Sequence, residues 1–279
     1  MSHLVSAEDL HDLLADGAPL RVVDVRWRLD RPEAGHADYL TGHIPGAVFA
    51  SLDRELSTPG APSEGRHPLP SPDTVQAAAR RWGVRQGDTV VAYDDARGLA
   101  AARAWWLLRQ AGVDVRVLDG GLRAWTDAGY PVSTDDVVPE TGDVVLAVTA
   151  WDALSIDEAA AFPESGVLLD VRAPERYRGD SEPLDPVAGH IPGARNLPTF
   201  RHLDEHGRLR DADTVRATLA EVGITAGTPV AAYCGSGITA AHTALVLEEV
   251  GIPVQVFPGS WSQWSNTPGR PVATGDQPG

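Results

Sequence analysis

GVLLDVR at residues 166–172 and GHIPGA at residues 189–194 repeat two stretches that occur earlier in the chain, LRVVDVR at 20–26 and GHIPGA at 42–47. The echo continues downstream. TVVAYDD at 89–95 answers to PVAAYCG at 229–235, LDGGLRAW at 118–125 to FPGSWSQW at 257–264, and GYPVST at 129–134 to GRPVAT at 269–274. The offsets of the first four pairs run 146, 147, 140 and 139, so only loop lengths differ. A repeat of this kind fixes the architecture before any single residue is interpreted: the chain is a tandem duplication.

Around these motifs each copy alternates short apolar runs with helical stretches. In the second copy a capped helix at Ser155–Phe162 precedes the apolar run Val167–Val171, and a helix near Ala212–Val222 precedes the strand Val230–Tyr233. A helical stretch at Thr239–Val250 and a strand at Pro253–Phe257 follow. Continuous apolar strands spaced by amphipathic helices predict an α/β fold in which each copy is a parallel sheet covered by helices on both faces. The expected division is a first domain at 1–135, a linker at 136–150 holding Pro139, Gly142 and several acids, and a second domain at 151–279.

Composition agrees with two ordinary domains: 279 residues, 43% hydrophobic and 22% charged, suffice for two cores of ~140 residues each. No run of ~18 apolar residues and no basic start before an apolar stretch is present, so a cytoplasmic protein is the expectation. The net charge of −16 disfavours nucleic acid and anionic membranes as partners. All 23 basic residues are arginine, which rules out chemistry that needs a lysine. The one cysteine, Cys234, can form neither an internal disulfide nor a multi-cysteine zinc cage, and neither a metal-ligand cluster nor a nucleotide motif emerges.

Cys234 directly follows the strand VAAY and precedes Gly235, Ser236, Gly237, Ile238 and Thr239, after which a helix begins. In parallel α/β sheets, ligands gather at such carboxyl ends of strands. Two glycines let the backbone curl its N–H groups inward, and the helix N-terminus adds partial positive charge. Both favour thiolate, the nucleophilic form. The expectation is a reactive, exposed Cys234 cradled by the backbone of residues 235–239.

With these motifs in hand, the chain closely resembles the two-domain sulfurtransferases of the rhodanese superfamily over essentially its whole length. The resemblance implies two similar domains with the active cysteine only in the second; the first has Asp94 at that place and is catalytically silent. Residues 234–240, CGSGITA, differ from the mercaptopyruvate-type loop only by Ile238 for Val. Thiosulfate-type members carry basic residues there. Related phosphatases need an arginine six positions after the cysteine, where this chain has Ala240.

Further roles rest on the same resemblance. Arg176, in RAPERYRG, matches the arginine that holds the donor carboxylate; the alternative is a surface salt bridge to Glu175, Asp180 or Glu182. A second arginine found in some relatives has no counterpart near Pro183-Leu184-Asp185, and Arg178 is the nearest candidate. Ser236, His67 and Asp53 match a Ser-His-Asp constellation, which would make the silent domain the source of two catalytic residues across the interface. His43, His190, Asp170, Arg172 and His242 are given structural readings, and Trp261 is read either as packing or as a wall of the pocket. The implied reaction moves sulfur from 3-mercaptopyruvate through a Cys234 persulfide to thioredoxin, a small thiol or cyanide, with no cofactor. Two alternatives stay open, a thiosulfate:cyanide sulfurtransferase and a slow sulfur-carrier or regulatory module.

Overall fold

The computed structural model describes residues 2–31 and 33–279, which divide into two compact units. The first comprises residues up to Thr58, Pro70–Trp151 and Glu205–Arg208, and the second Pro59–Leu69, Asp152–Asp204 and Leu209–Gly279.

In the first unit five strands, β1 (Leu4–Val5), β2 (Leu20–Asp24), β3 (Val48–Phe49), β4 (Thr89–Tyr93) and β5 (Asp114–Leu118), form one sheet in the order β1-β5-β4-β2-β3. Every pairing is parallel. Val22, Val91, Tyr93 and Leu118 join Leu10 and Trp125, from the helices Ala7–Ala15 and Gly121–Asp127, in one core. Alternation along a strand turns Val90 and Ala92 to the opposite face. The helix Leu99–Gln110 packs against β4 and β5.

The second unit repeats this plan with β6 (Val167–Asp170), β7 (Arg195–Asn196), β8 (Val230–Tyr233) and β9 (Val254–Val256), again all parallel, in the order β7-β6-β8-β9. At the place of β1, Leu154 donates its N–H to Val256 O at 2.9 Å without forming a strand. Two helices of this unit start where side chains satisfy the first free amides: Ser155 and Glu158 form a reciprocal capping box, and Asp211 caps Ala212–Glu221. The helix Ile238–Glu249 departs from the amphipathic pattern, since residues 240–247 are all buried, as are residues 100–108 of its counterpart. Alanine-rich helices of this kind lie wholly inside the protein. No helix among the described residues is long and apolar enough to cross a membrane.

The repeated motifs are the joints of the fold. Arg26 grips Asp24 and reaches the Gly42 carbonyl at 2.7 Å; Arg172 grips Asp170 and reaches the Gly189 carbonyl at 2.6 Å. All four side chains are buried. The Tyr93 and Tyr233 hydroxyls accept the amides of Ile44 and Ile191, both at 3.1 Å. His43 and His190 stack on Tyr39 and Tyr177 and bridge back to Ser133 and Ala273. Their structural reading holds.

Residues 136–150 do not hang free as a linker composition suggests. They run along the first unit, with Gly142 N–H on Arg80 O at 2.7 Å, Ala147 N–H on Ala111 O at 3.1 Å, and Val144 and Leu146 buried. Any side chain at Gly142 would collide with the Val84 carbonyl.

Candidate active site

Cys234 is the first residue beyond β8, and the helix Ile238–Glu249 begins four residues later. Gly237 makes this tight passage. Its φ is +83°, and a Cβ there would strike the Pro258 carbonyl. The turn aims the Gly237 amide at Cys234 Sγ, at 3.1 Å. Ile238 is buried and Thr239 half-buried at the first turn of the helix. From the other side, Trp261 and Ser262 donate backbone N–H groups to the carbonyls of Cys234 and Gly235, both at 2.9 Å.

Ser260 completes this support. Its hydroxyl accepts the Cys234 amide at 3.1 Å, donates to Phe257 O at 2.9 Å and lies 3.9 Å from Sγ. Its φ is +54°, a left-handed conformation costly for a residue with a side chain. At the matching place the first unit has Gly121, with φ +58°. The unit with the cysteine thus carries a strained serine where the other uses glycine, a signal that comparing the two repeats could have raised.

The expectation of an exposed thiol is corrected: Cys234 is only 3% exposed. The loop is roofed by residues 258–262 and by the arm 59–69, which pack over it. Its sulfur is nonetheless met by the Gly237 amide and the Ser260 hydroxyl.

The first unit shows what this kind of loop accommodates. The Asp94 carboxylate, wholly buried, accepts amides of Ala96, Gly98 and Ala100 at 2.8 Å each and of Ala101 at 3.0 Å. Burial pushes its pKa above the ordinary carboxylate value, and the amides pull against that shift. Gly98, at φ +82°, opens its helix just as Gly237 opens the other. The same strand–loop–helix passage thus turns four amides onto the Asp94 carboxylate in one copy and the Gly237 amide onto the Cys234 sulfur in the other.

His67 and Ser236 come together. His67 Nδ1 lies 2.8 Å from Ser236 Oγ, with the two side chains 6% and 7% exposed. The arm 59–69 belongs by its contacts to the second unit, which corrects the view that His67 is lent by the silent domain. Arg66 N–H donates to Ser262 Oγ at 3.0 Å, and Gly65, at φ +90°, lies against the Gly259 backbone. Asp53 stays with the first unit in the short helix Leu52–Glu55, where it accepts the Trp27 indole N–H at 2.9 Å and lines a cavity of about 400 Å³. Burial raises its pKa, opposed by the Trp27 hydrogen bond.

Arg176 lies against the loop: a Cβ built on Gly235 would be 3.4 Å from Arg176 Nη1. It also makes the salt bridge weighed as its alternative role, donating to Glu182 at 2.6 Å. Its Nη2 is 3.3 Å from Asp185. The second cation at the loop is Arg66, 3.9 Å from that Cβ position and 2.5 Å from Asp185. Arg178 is instead engaged with Asp180 at 2.7 Å. Sequence reasoning passed over Arg66 although it adjoins His67, because no motif marks it and its approach to the loop is a tertiary contact. Burial raises the Asp185 pKa, and Arg66 opposes the shift.

Two structural readings gain detail. Trp261 is fully buried, donates to Val187 O at 2.9 Å and carries the Arg172 guanidinium 4.6 Å above its ring. His242 is more than an ordinary helix residue: it is buried, with Nδ1 3.0 Å from Thr199 Oγ1. Among the described residues no group of three or more His, Cys, Asp or Glu side chains could hold a metal ion.

Comparison with known proteins agrees with this architecture. The rhodanese-like domain profile matches residues 6–128 and again 155–267. A Mycobacterium tuberculosis protein carrying the name "Putative thiosulfate sulfurtransferase SseB" is 46% identical over 276 residues, covering 98% of this chain and 97% of its own. A Pseudomonas aeruginosa protein named "Probable 3-mercaptopyruvate sulfurtransferase" is 42% identical over 286 residues, 99% of each chain. The solved structure of SseA from Escherichia coli, described as a 3-mercaptopyruvate sulfotransferase, superposes with a TM-score of 0.81 at 32% identity, over 94% of this chain and 99% of that one. The chain belongs to the rhodanese superfamily, as a sulfurtransferase of two tandem rhodanese-like domains.

Proposed function

We propose that the chain takes sulfur from 3-mercaptopyruvate onto Cys234 and passes it to a thiol acceptor. The observation that carries this reading is the grouping around one loop of a sulfur nucleophile, a Ser236–His67 pair and a guanidinium, Arg176. A keto-acid thiol needs all three. The guanidinium pairs with the carboxylate, which places the thiol sulfur toward Cys234.

The Cys234 thiolate attacks that sulfur. An S–S bond forms, the C–S bond breaks, and its electron pair leaves on carbon as the enolate of pyruvate. A proton then converts the enolate to pyruvate. Ser236, hydrogen-bonded to His67, is suited to polarise the keto oxygen and relay the proton. The persulfide anion rests in the amide nest of residues 235–239, as Asp94 does in its own loop. Attack by an acceptor thiolate on the outer sulfur restores Cys234, so ping-pong kinetics follow. Thioredoxin and small thiols are the proposed acceptors. Asp53 enters as the third member of the relay by its motif alone. A cytoplasmic setting suits a thiol that must stay reduced.

Thiosulfate is the second reading, favoured by the name of the Mycobacterium relative and by the second cation, Arg66. The test is a donor panel that follows pyruvate from 3-mercaptopyruvate and thiocyanate from thiosulfate and cyanide. A large preference for mercaptopyruvate is expected; equal or reversed rates overturn the donor assignment. Arg176→Leu should depress mercaptopyruvate use far more than use of a donor lacking a carboxylate, and uniform loss removes its proposed role.

A further inference from the structure

The charges beside the cysteine loop are balanced by the protein itself. Asp170, Arg172, Glu182, Arg176, Asp185 and Arg66 form an unbroken chain of alternating sign, with successive contacts of 2.6, 3.1, 2.6, 3.3 and 2.5 Å. Three guanidiniums meet three carboxylates, so the formal sum is zero before any donor arrives. At the loop end of this chain the acids are the deeper members: the Glu182 and Asp185 side chains are 3% and 2% exposed, against 17% for Arg176 and 25% for Arg66. Water therefore screens Asp185 poorly, and its field acts on whatever charge enters beside Gly235.

Resting on the sulfurtransferase reading above, we propose that Asp185 is a specificity-determining residue whose carboxylate, bridging Arg66 and Arg176, selects monoanionic sulfur donors over dianionic ones. A monocarboxylate donor can share the two guanidiniums with Asp185. Thiosulfate brings a second negative charge that these cations, already neutralised, do not compensate. Arg66 and Asp185 thus tune the site in opposite directions. Arg66 draws anions toward the loop and Asp185 limits how much charge they carry.

The test compares kcat/KM for thiosulfate and for 3-mercaptopyruvate, with cyanide as common acceptor, in the full chain and two variants. Asp185→Asn keeps the shape and removes the charge, and should raise the thiosulfate-to-mercaptopyruvate ratio at least tenfold. Arg66→Gln should lower that ratio at least tenfold. Ratios that stay within twofold of wild type, or that move the same way in both variants, overturn the proposal. A binding measurement separates this from the donor assignment. Protection of Cys234 against iodoacetamide by sulfate should strengthen at least tenfold in Asp185→Asn while protection by acetate changes less. If wild type releases no pyruvate from mercaptopyruvate, the donor assignment falls and the sulfate result still decides the charge proposal. If Asp185→Asn fails to fold, the Arg66→Gln ratio and its weakened sulfate protection decide it alone.

Discussion

Ser236 and His67 are 169 residues apart in sequence and share a 2.8 Å hydrogen bond with both side chains almost wholly buried. On the proposed mechanism, this buried imidazole–hydroxyl pair relays the proton that the departing carbon takes up. His67→Ala and Ser236→Ala should each slow pyruvate formation in a single turnover by ~10²-fold or more. The double variant should be little worse than either single one, because the pair acts as a unit. Stopped-flow assay of all three proteins checks this; additive losses would mean the two residues work separately.

Asp94 fills with its own carboxylate the nest that its counterpart loop presents to sulfur. Asp94→Ala leaves four amides without this acceptor, and the three that are buried are each worth ~1–3 kcal/mol when unsatisfied. Unfolding in urea should show a loss of several kcal/mol, while sulfur transfer per folded molecule stays at the wild-type level. Unchanged stability would mean that these hydrogen bonds contribute nothing.

Ser260 holds a positive φ that Gly121 adopts without strain in the other copy. Ser260→Gly should change stability by no more than ~1 kcal/mol, because removal of the left-handed penalty is offset by the buried Cys234 amide losing its acceptor. It also removes the hydroxyl that holds the Cys234 amide, so the rate of Cys234 alkylation and of persulfide formation should fall. A variant that is destabilised and fully active would reverse the argument.

These positions show which parts of the protein its sequence discloses. The parallel sheets, the β8–loop–helix passage and the place of Cys234 are local, because strand, glycines and helix follow one another within about ten residues. The capping box at Ser155 and Glu158 is equally legible. Burial of Cys234 is not local. It depends on residues 258–262 and on an arm from the first half of the chain, and no periodicity around position 234 encodes either. Arg66 escaped for the same reason, while Arg176 was found through its motif and proved to be both beside the loop and salt-bridged. The run 136–150 reads as linker because acids, Pro139 and Gly142 dominate it, yet its backbone amides are hydrogen-bonded along the first unit.

His202 supplies a pH dependence. It is fully buried in the second unit, neither ring nitrogen has a hydrogen-bond partner among the described residues, and burial, aided by Arg201, depresses its pKa to about 4. The unfolded chain then binds a proton near pH 6.5 that the folded chain refuses until about pH 4, so stability present above 6.5 is lost as pH falls through this window. The loss is on the order of 3 kcal/mol. Urea unfolding at pH 7 and pH 4.5 should show a shallower decline in His202→Leu than in wild type. An identical decline would place the acid sensitivity elsewhere.

The claim that Cys234 carries sulfur is tested most directly by one turnover without acceptor. The protein is mixed with one equivalent of 3-mercaptopyruvate, pyruvate is counted, and the intact and digested chain is weighed. The account predicts one pyruvate per chain and one added sulfur atom on the Cys234 peptide, both abolished in Cys234→Ser. Pyruvate released without a sulfur adduct, or an adduct that survives Cys234→Ser, would contradict it.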